Sequence, residues 1–184
     1  MPVSLTAATI TALGIDPGSN ITGWGVVRER SGKLELLGCG ALHVKGDTFS
    51  EKLASIYHGL HAVIEEYGPT EAGVEQVFSA RNILSAIKLA QARGAAVAAC
   101  ASFDIPVLDY EPTQVKKTIV GVGRAEKEQV AFMVHRLLGG APIGGPMDVT
   151  DAVAIALCHL TLRRFRRLEE LQKGELKGGW KASR

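Results

Sequence analysis

The chain is predicted to form one α/β domain in which helices flank a mixed five-stranded sheet. Three observations predict it. Runs of β-branched and apolar residues fill the first quarter of the chain, separated by little more than turn residues. Beyond them, short apolar runs alternate with longer segments whose apolar residues recur at helical spacing. An apolar fraction of 46% and a mean hydropathy of +0.12 over 184 residues describe a globular chain long enough to bury a core.

Thr9 to Asp16 and Gly23 to Glu29 read as a hairpin, with Pro17 and Gly18 in its turn, and a third strand follows near Leu34 to Val44. From Phe49 to Tyr67 the apolar residues Leu53, Ile56, Leu60, Val63 and Ile64 keep a helical period, and Gly68-Pro69 ends the helix. Ala72 to Phe78 is a short apolar run interrupted by Glu75, a buried strand. Ala80 to Phe103 is a long helix rich in Ala and Gly, and Ile105 to Asp109 a further strand. Helices over Pro112–Val120 and Ala125–Leu138 are separated by Gly121-Val122-Gly123-Arg124. A Gly/Pro-rich loop at 139–146 precedes a last helix from about Asp148 to Leu168. Three hairpin-joined strands followed by two strands separated by helices imply a mixed sheet. The organisation is an N-terminal extension at 1–9, one domain at 10–168 and a flexible basic tail at 169–184.

Charge is uneven. From Leu160 onward there are eight Lys or Arg and three Glu, so the other residues hold 13 basic and 16 acidic side chains. The body is therefore no general polyanion binder, and any phosphate contact must come from local patches. No apolar run is expected to reach the roughly 20 residues of a membrane span. The start MPVSLTAATITALGI lacks the basic-then-apolar order of a signal peptide. Cys39, Cys100 and Cys158 form neither a disulfide framework nor a zinc pattern, which suits a reducing cytoplasm.

Four acids stand out. Asp16 closes the strand ALGI, and Glu75 lies within GVEQVF. Asp148 and Asp151 open the last helix three residues apart, on one face. The hairpin LGIDPGSNITGWGVV suits either of two chemistries: its turn can cradle a nucleotide's phosphates, or Asp16 can grip a metal ion. A buried carboxylate costs several kcal/mol without a partner. Four gathered together repel one another unless divalent cations sit between them, the two-metal arrangement of phosphoryl transfer. Such hard oxygen donors select Mg²⁺ or Mn²⁺. Taken singly, each acid has a plainer reading: a turn residue at Asp16, an N-cap at Asp148, a first-turn acid at Asp151 and a structural ion pair at Glu75.

The stretches GIDPGSNITGWGVV, VEQVFSARNILSAIKLAQARG, QVKKTIVGVGRAEKEQV and MDVTDAVAIALCH resemble, in order, the motifs of the RuvC family of bacterial Holliday-junction resolvases. The resemblance covers about residues 12 to 160 and implies a ribonuclease-H-like fold. It places the metal-binding and catalytic acids at Asp16, Glu75, Asp148 and Asp151. Some members carry His at the position of Asp148, so four carboxylates are expected here. The N-terminal MPVSLTAAT and the tail after Arg167 depart from the family pattern without touching its motifs.

Phe78 alone reads as a core aromatic, whereas the resemblance implies stacking against unpaired bases at the junction centre, worth roughly 1–3 kcal/mol per base. Arg81 and Asn82 follow in the same loop and are candidate DNA contacts. Lys116 and Lys127 match family lysines needed for activity. Gly121 and Gly123 fail as a dinucleotide fingerprint because Glu126 stands at the third glycine position. A helix N-terminus beside Arg124 still suits a phosphate, though Lys117 and Arg124 also read as a solvated basic face. Arg163, Arg164, Arg166 and Arg167 read as a charged helix end before a grip on DNA, and the five histidines show no metal spacing.

The resemblance further implies two divalent ions per site, four-way junction DNA as substrate and a homodimer working beside RuvA–RuvB. The small-residue helix at 80–103 is the candidate dimer face. A sugar-kinase or actin-like ATPase also opens on a Gly-Ile-Asp-x-Gly hairpin, but encloses ATP with two copies of the fold. A junction-binding module without catalysis would not need four acids.

Overall fold

The computed structural model of the chain describes residues 9–76 and 83–179, with side chains as far as Arg166. Its elements are β1 (Ile10–Asp16), β2 (Ile21–Arg30), β3 (Lys33–His43), α1 (Phe49–Tyr67), β4 (Glu71–Glu75), α2 (Ile83–Ala101), β5 (Val107–Tyr110), α3 (Pro112–Val120), α4 (Lys127–Leu137) and α5 (Met147–Gly179). The sheet order is β3-β2-β1-β4-β5. β1, β2 and β3 pair antiparallel, while β4 joins β1, and β5 joins β4, in parallel. The expected mixed five-stranded sheet is present.

Alternation along the strands divides the interior into two layers. Leu13, Ile15, Val26, Ala72 and Val74 pack with Ile56, Leu60 and Ile64 of α1 and Ala92, Ala96 and Ala99 of α2. Ala12 and Val27 project to the other face, among α3, α4 and a run of α5 from Val153 to Cys158. The α5 layer lies very close to the sheet because β1 carries glycine beneath it. A Cβ on Gly14 would stand 2.0 Å from the Ala152 carbonyl oxygen.

Local signals explain the helix ends. Thr48 accepts from the Glu51 amide while the Glu51 carboxylate accepts from the Thr48 amide, a capping box that starts α1 where the apolar period begins. Gly68 ends α1 in the left-handed conformation at φ 56°.

Two expectations need correction. The last helix does not stop near Leu168 but runs to Gly179. LEELQK is composed of strong helix formers, which favour continuing the helix. In addition, α2 is long and apolar enough by length and composition to cross a membrane, where no such segment was expected. Only part of that apolarity is packed: Ala92, Ala96, Ala99 and Cys100 are buried against α1 and the sheet, while Ile83, Leu84 and Ile87 are exposed.

Candidate active site

β1 and β4 lie side by side in parallel, with Ile15 level with Val74, so both strands end together on Asp16 and Glu75. The apolar residues of each strand bury it, and the terminal acids are carried into the interior with them. Their carboxyl groups hydrogen-bond to each other. Burial, then the charges of Glu75, Asp151 and Asp148, push the Asp16 carboxyl up to about 8. Burial and Asp151 raise Glu75 as well, although the hydrogen bond from Asp16 and the positive charges of Lys127 and Lys116 pull it partly back.

The first turn of α5 supplies Asp148 and Asp151. The Lys127 ammonium donates to Asp151 Oδ2 at 2.9 Å, and that bond is the main reason its pKa is raised. Asp16, Glu75, Asp151, Lys116 and Lys127 together line a cavity of about 340 Å³, floored by Val115, Ala154 and Ile155. Asp148 does not line it, yet its charge reaches Asp16. Strand ends and a helix N-terminus thus bring all four sequence-predicted acids, with both predicted lysines, into one neighbourhood.

The donor set suits a hard divalent cation, since it consists of carboxylate oxygens held close enough to repel. Among the described residues no three His, Cys, Asp or Glu side chains close on a single point as a ready-made shell. Asp151 instead shares its charge with Lys127. The match to a metal is therefore one of donor chemistry and unmet charge.

The remaining candidates fall elsewhere. Phe78, Arg81 and Asn82 lie outside the described residues. Arg124 is exposed and does not line the cavity. The N-terminus of α4 beside it is closed by its own capping box between Glu126 and Gln129. The β1–β2 turn closes on itself through Thr22, whose hydroxyl donates to the Gly18 carbonyl at 3.1 Å and accepts from the Gly18 amide. Of the C-terminal arginines, Arg163 donates to Glu71 Oε1 at 2.6 Å, Arg164 pairs with Glu29 and Arg166 donates to the Tyr110 hydroxyl.

Sequence reasoning missed a second polar cluster. His159, fully buried, places Nδ1 3.0 Å from the Tyr110 hydroxyl and Nε2 2.8 Å from Glu71 Oε2. Its one sequence signal is a histidine inside the apolar run AVAIALCH, two helical turns beyond Asp151.

A mixed five-stranded sheet flanked by helices, with two carboxylates at the ends of its adjacent central strands, has the architecture of a ribonuclease-H-like fold. The comparisons narrow that class. A family model described as Crossover junction endodeoxyribonuclease RuvC matches residues 12–159, and the chain belongs to that family of metal-dependent nucleases. The Oleidesulfovibrio alaskensis crossover junction endodeoxyribonuclease RuvC is 63% identical over 89% of this chain and 98% of its own length. The Nitratidesulfovibrio vulgaris (strain DP4) protein of the same description is 52% identical over 90% of this chain and 99% of its own. Among solved structures, T. thermophilus RuvC in complex with Holliday junction substrate matches with a TM-score of 0.80 and 34% identity, covering 85% of this chain and 96% of that one.

Proposed function

We propose that the chain resolves four-way DNA junctions, nicking two strands symmetrically in recombination and repair. The observation that carries the proposal is the single cavity into which Asp16, Glu75 and Asp151 are gathered with Lys116 and Lys127. Asp16, Glu75, Asp148 and Asp151 would hold two divalent cations, Mg²⁺ or Mn²⁺, which supply water activation and charge neutralisation at the leaving oxygen. The reaction is in-line attack of a water oxygen on phosphorus with departure of the 3′-oxygen. It leaves 5′-phosphate and 3′-hydroxyl ends.

Lys116 and Lys127 stand at the cavity wall with ammonium groups suited to a scissile phosphate. Lys127 neutralises Asp151 until a phosphate competes for it. Phe78 stacks on unpaired bases at the junction centre, and Arg81, Asn82 and Arg124 contact the DNA around it.

Matched nicks require two equivalent sites, which a two-fold homodimer supplies. The exposed Ile83, Leu84 and Ile87 on α2 support a dimer through that helix. RuvA–RuvB is the expected partner in branch migration, and the cytoplasm the expected compartment.

The test offers a labelled synthetic four-way junction and a linear duplex of the same sequence, with Mg²⁺, with Mn²⁺ and with EDTA. Cleavage confined to the junction and to the metal-containing arms is expected. Intact junctions under both metals would remove the proposal.

A further inference from the structure

Gly23 makes no turn. It lies inside β2, where a glycine forgoes side-chain packing and marks a close approach by another part of the molecule. Across the β1–β2 ladder it is the direct partner of Asp16. Residues opposite one another in an antiparallel pair project to the same face, so the bare face of Gly23 adjoins the Asp16 carboxyl beneath α5. A Cβ built on Gly23 would stand 2.0 Å from the Asp148 carbonyl oxygen, 2.4 Å from its carbonyl carbon and 3.1 Å from its Cβ.

The obstruction is backbone, which does not swing aside as the tip of a long side chain does. The start of β2 is also tied down, because Thr22 is buried and bonds back to Gly18. A methyl at position 23 therefore has to displace the first turn of α5, and Asp148 with it. Gly25, two residues further along the same face, meets Val153 instead.

We propose that Gly23 is a positioning residue for strand cleavage. Its missing side chain lets Asp148 rest on β2 and so sets the distance from the helix carboxylates to Asp16 and Glu75. The inference rests on the junction-cleaving function proposed above.

Gly23→Ala, Gly25→Ala and the unaltered chain are compared in single-turnover junction cleavage with Mg²⁺, junction affinity in EDTA and thermal unfolding. Both substitutions lower stability. Gly23→Ala is expected to cut about 100-fold more slowly at saturating protein with affinity changed less than about threefold, since an ångström-scale misplacement of reacting groups has that effect. Gly25→Ala is expected to keep its rate within about fivefold, as its nearest obstruction is the Val153 Cγ2 at 2.5 Å and the backbone there comes no closer than 3.0 Å, against 2.0 Å at Gly23. Adding Asp148→Glu to Gly23→Ala, a carboxylate on a longer stem, is expected to recover part of the lost rate. Equal rate losses in the two glycine variants, a normal rate in Gly23→Ala, or no recovery by Asp148→Glu overturns the inference. An unaltered chain that cuts no junction overturns instead the function beneath it.

If either variant fails to fold, the unaltered chain labelled with ¹³C-glycine decides. Titrating Mg²⁺ should move the Gly23 Cα resonance with the midpoint of activity and leave Gly25 still. An unmoved Gly23 signal overturns the inference.

Discussion

Two groups of carboxyl chemistry lie under α5, on the same face of the same sheet, and they are built in opposite ways. At the lower end of β4, Glu71 is fully partnered. Burial works against its charge, but hydrogen bonds from Arg163 and His159 outweigh it and hold its carboxyl below the usual range. At the upper end of the sheet, burial and then the negative charges of Glu75, Asp151 and Asp148 drive Asp16 up to about 8, and burial and Asp151 raise Glu75 against the pull of Lys127 and Lys116. The first group joins strand to helix. The second keeps a charge deficit that folding alone would remove by bringing in another arginine. The difference teaches how to sort buried acids: partners within the chain mark a structural group, and their shortage marks a candidate for the cation site proposed above.

The largest expected effect is on the unmatched pair. Asp16→Asn or Glu75→Gln should slow junction cleavage by at least about 10³-fold, the scale of losing a principal electrostatic stabiliser. Affinity for the junction in EDTA should stay near that of the unaltered chain. Without metal and above about pH 8, where the Asp16 carboxyl is ionised, Asp16→Asn should melt at a higher temperature, because it removes a buried, repelling charge. A variant that binds as before and cuts at the normal rate would take that acid out of the catalytic assignment.

Lys127→Met should come next, with a loss of about 10²-fold in rate. Its ammonium is bonded to Asp151 and lines the cavity, so the rate should fall with little change in melting temperature. The matched group answers differently. Glu71→Gln leaves a buried histidine and an arginine short of their acceptor, and should cost about 2 kcal/mol of stability by denaturant titration. The folded protein should still cut. If Glu71→Gln abolished cleavage while remaining fully folded, the two groups would not be separable in function.

The smallest effect is a pair of opposed pH slopes in the stability of the metal-free chain. Folding raises the Asp16 pKa from 3.8 to about 8. Between those values the folded state holds a proton that the unfolded state has lost. Its contribution is thus complete below the ordinary value and disappears as pH rises through about 8. Glu71 and His159 are shifted downward, so their contribution is present above the ordinary values and disappears on acidification. Thermal unfolding in EDTA across pH 4 to 9 should show both slopes. Asp16→Asn should flatten the alkaline one, and Mg²⁺ should raise the melting temperature most where Asp16 is ionised.

Most of the architecture could be read in advance because it is written in local periods. The helix Phe49–Tyr67 was legible to its last residue, since a five-point apolar stripe and Gly68-Pro69 bound it. Asp16 and Glu75 were legible because an acid in an apolar strand has to be accounted for. The Glu71–His159 contact joins residues 88 apart, and no period encodes a separation of that kind. The same limit made Arg163 look like a solvated helix end, when it is the partner of Glu71. Gly23 was hidden differently: its role is set by what α5 lays over it, and a glycine in a strand shows only that something comes close. The end of α5 was misjudged because strong helix formers carry a helix past the point where its apolar face stops.

The central claim is that charge left unmatched at Asp16–Glu75, and not the matched charge at Glu71, cuts DNA. Single-turnover cleavage of a 5′-labelled four-way junction by folded Asp16→Asn and folded Glu71→Gln, side by side in Mg²⁺, tests it most directly. The account predicts a bound but uncut junction with the first and paired symmetric nicks with the second. Cutting by Asp16→Asn at the unaltered chain's rate, or none by Glu71→Gln, would contradict it.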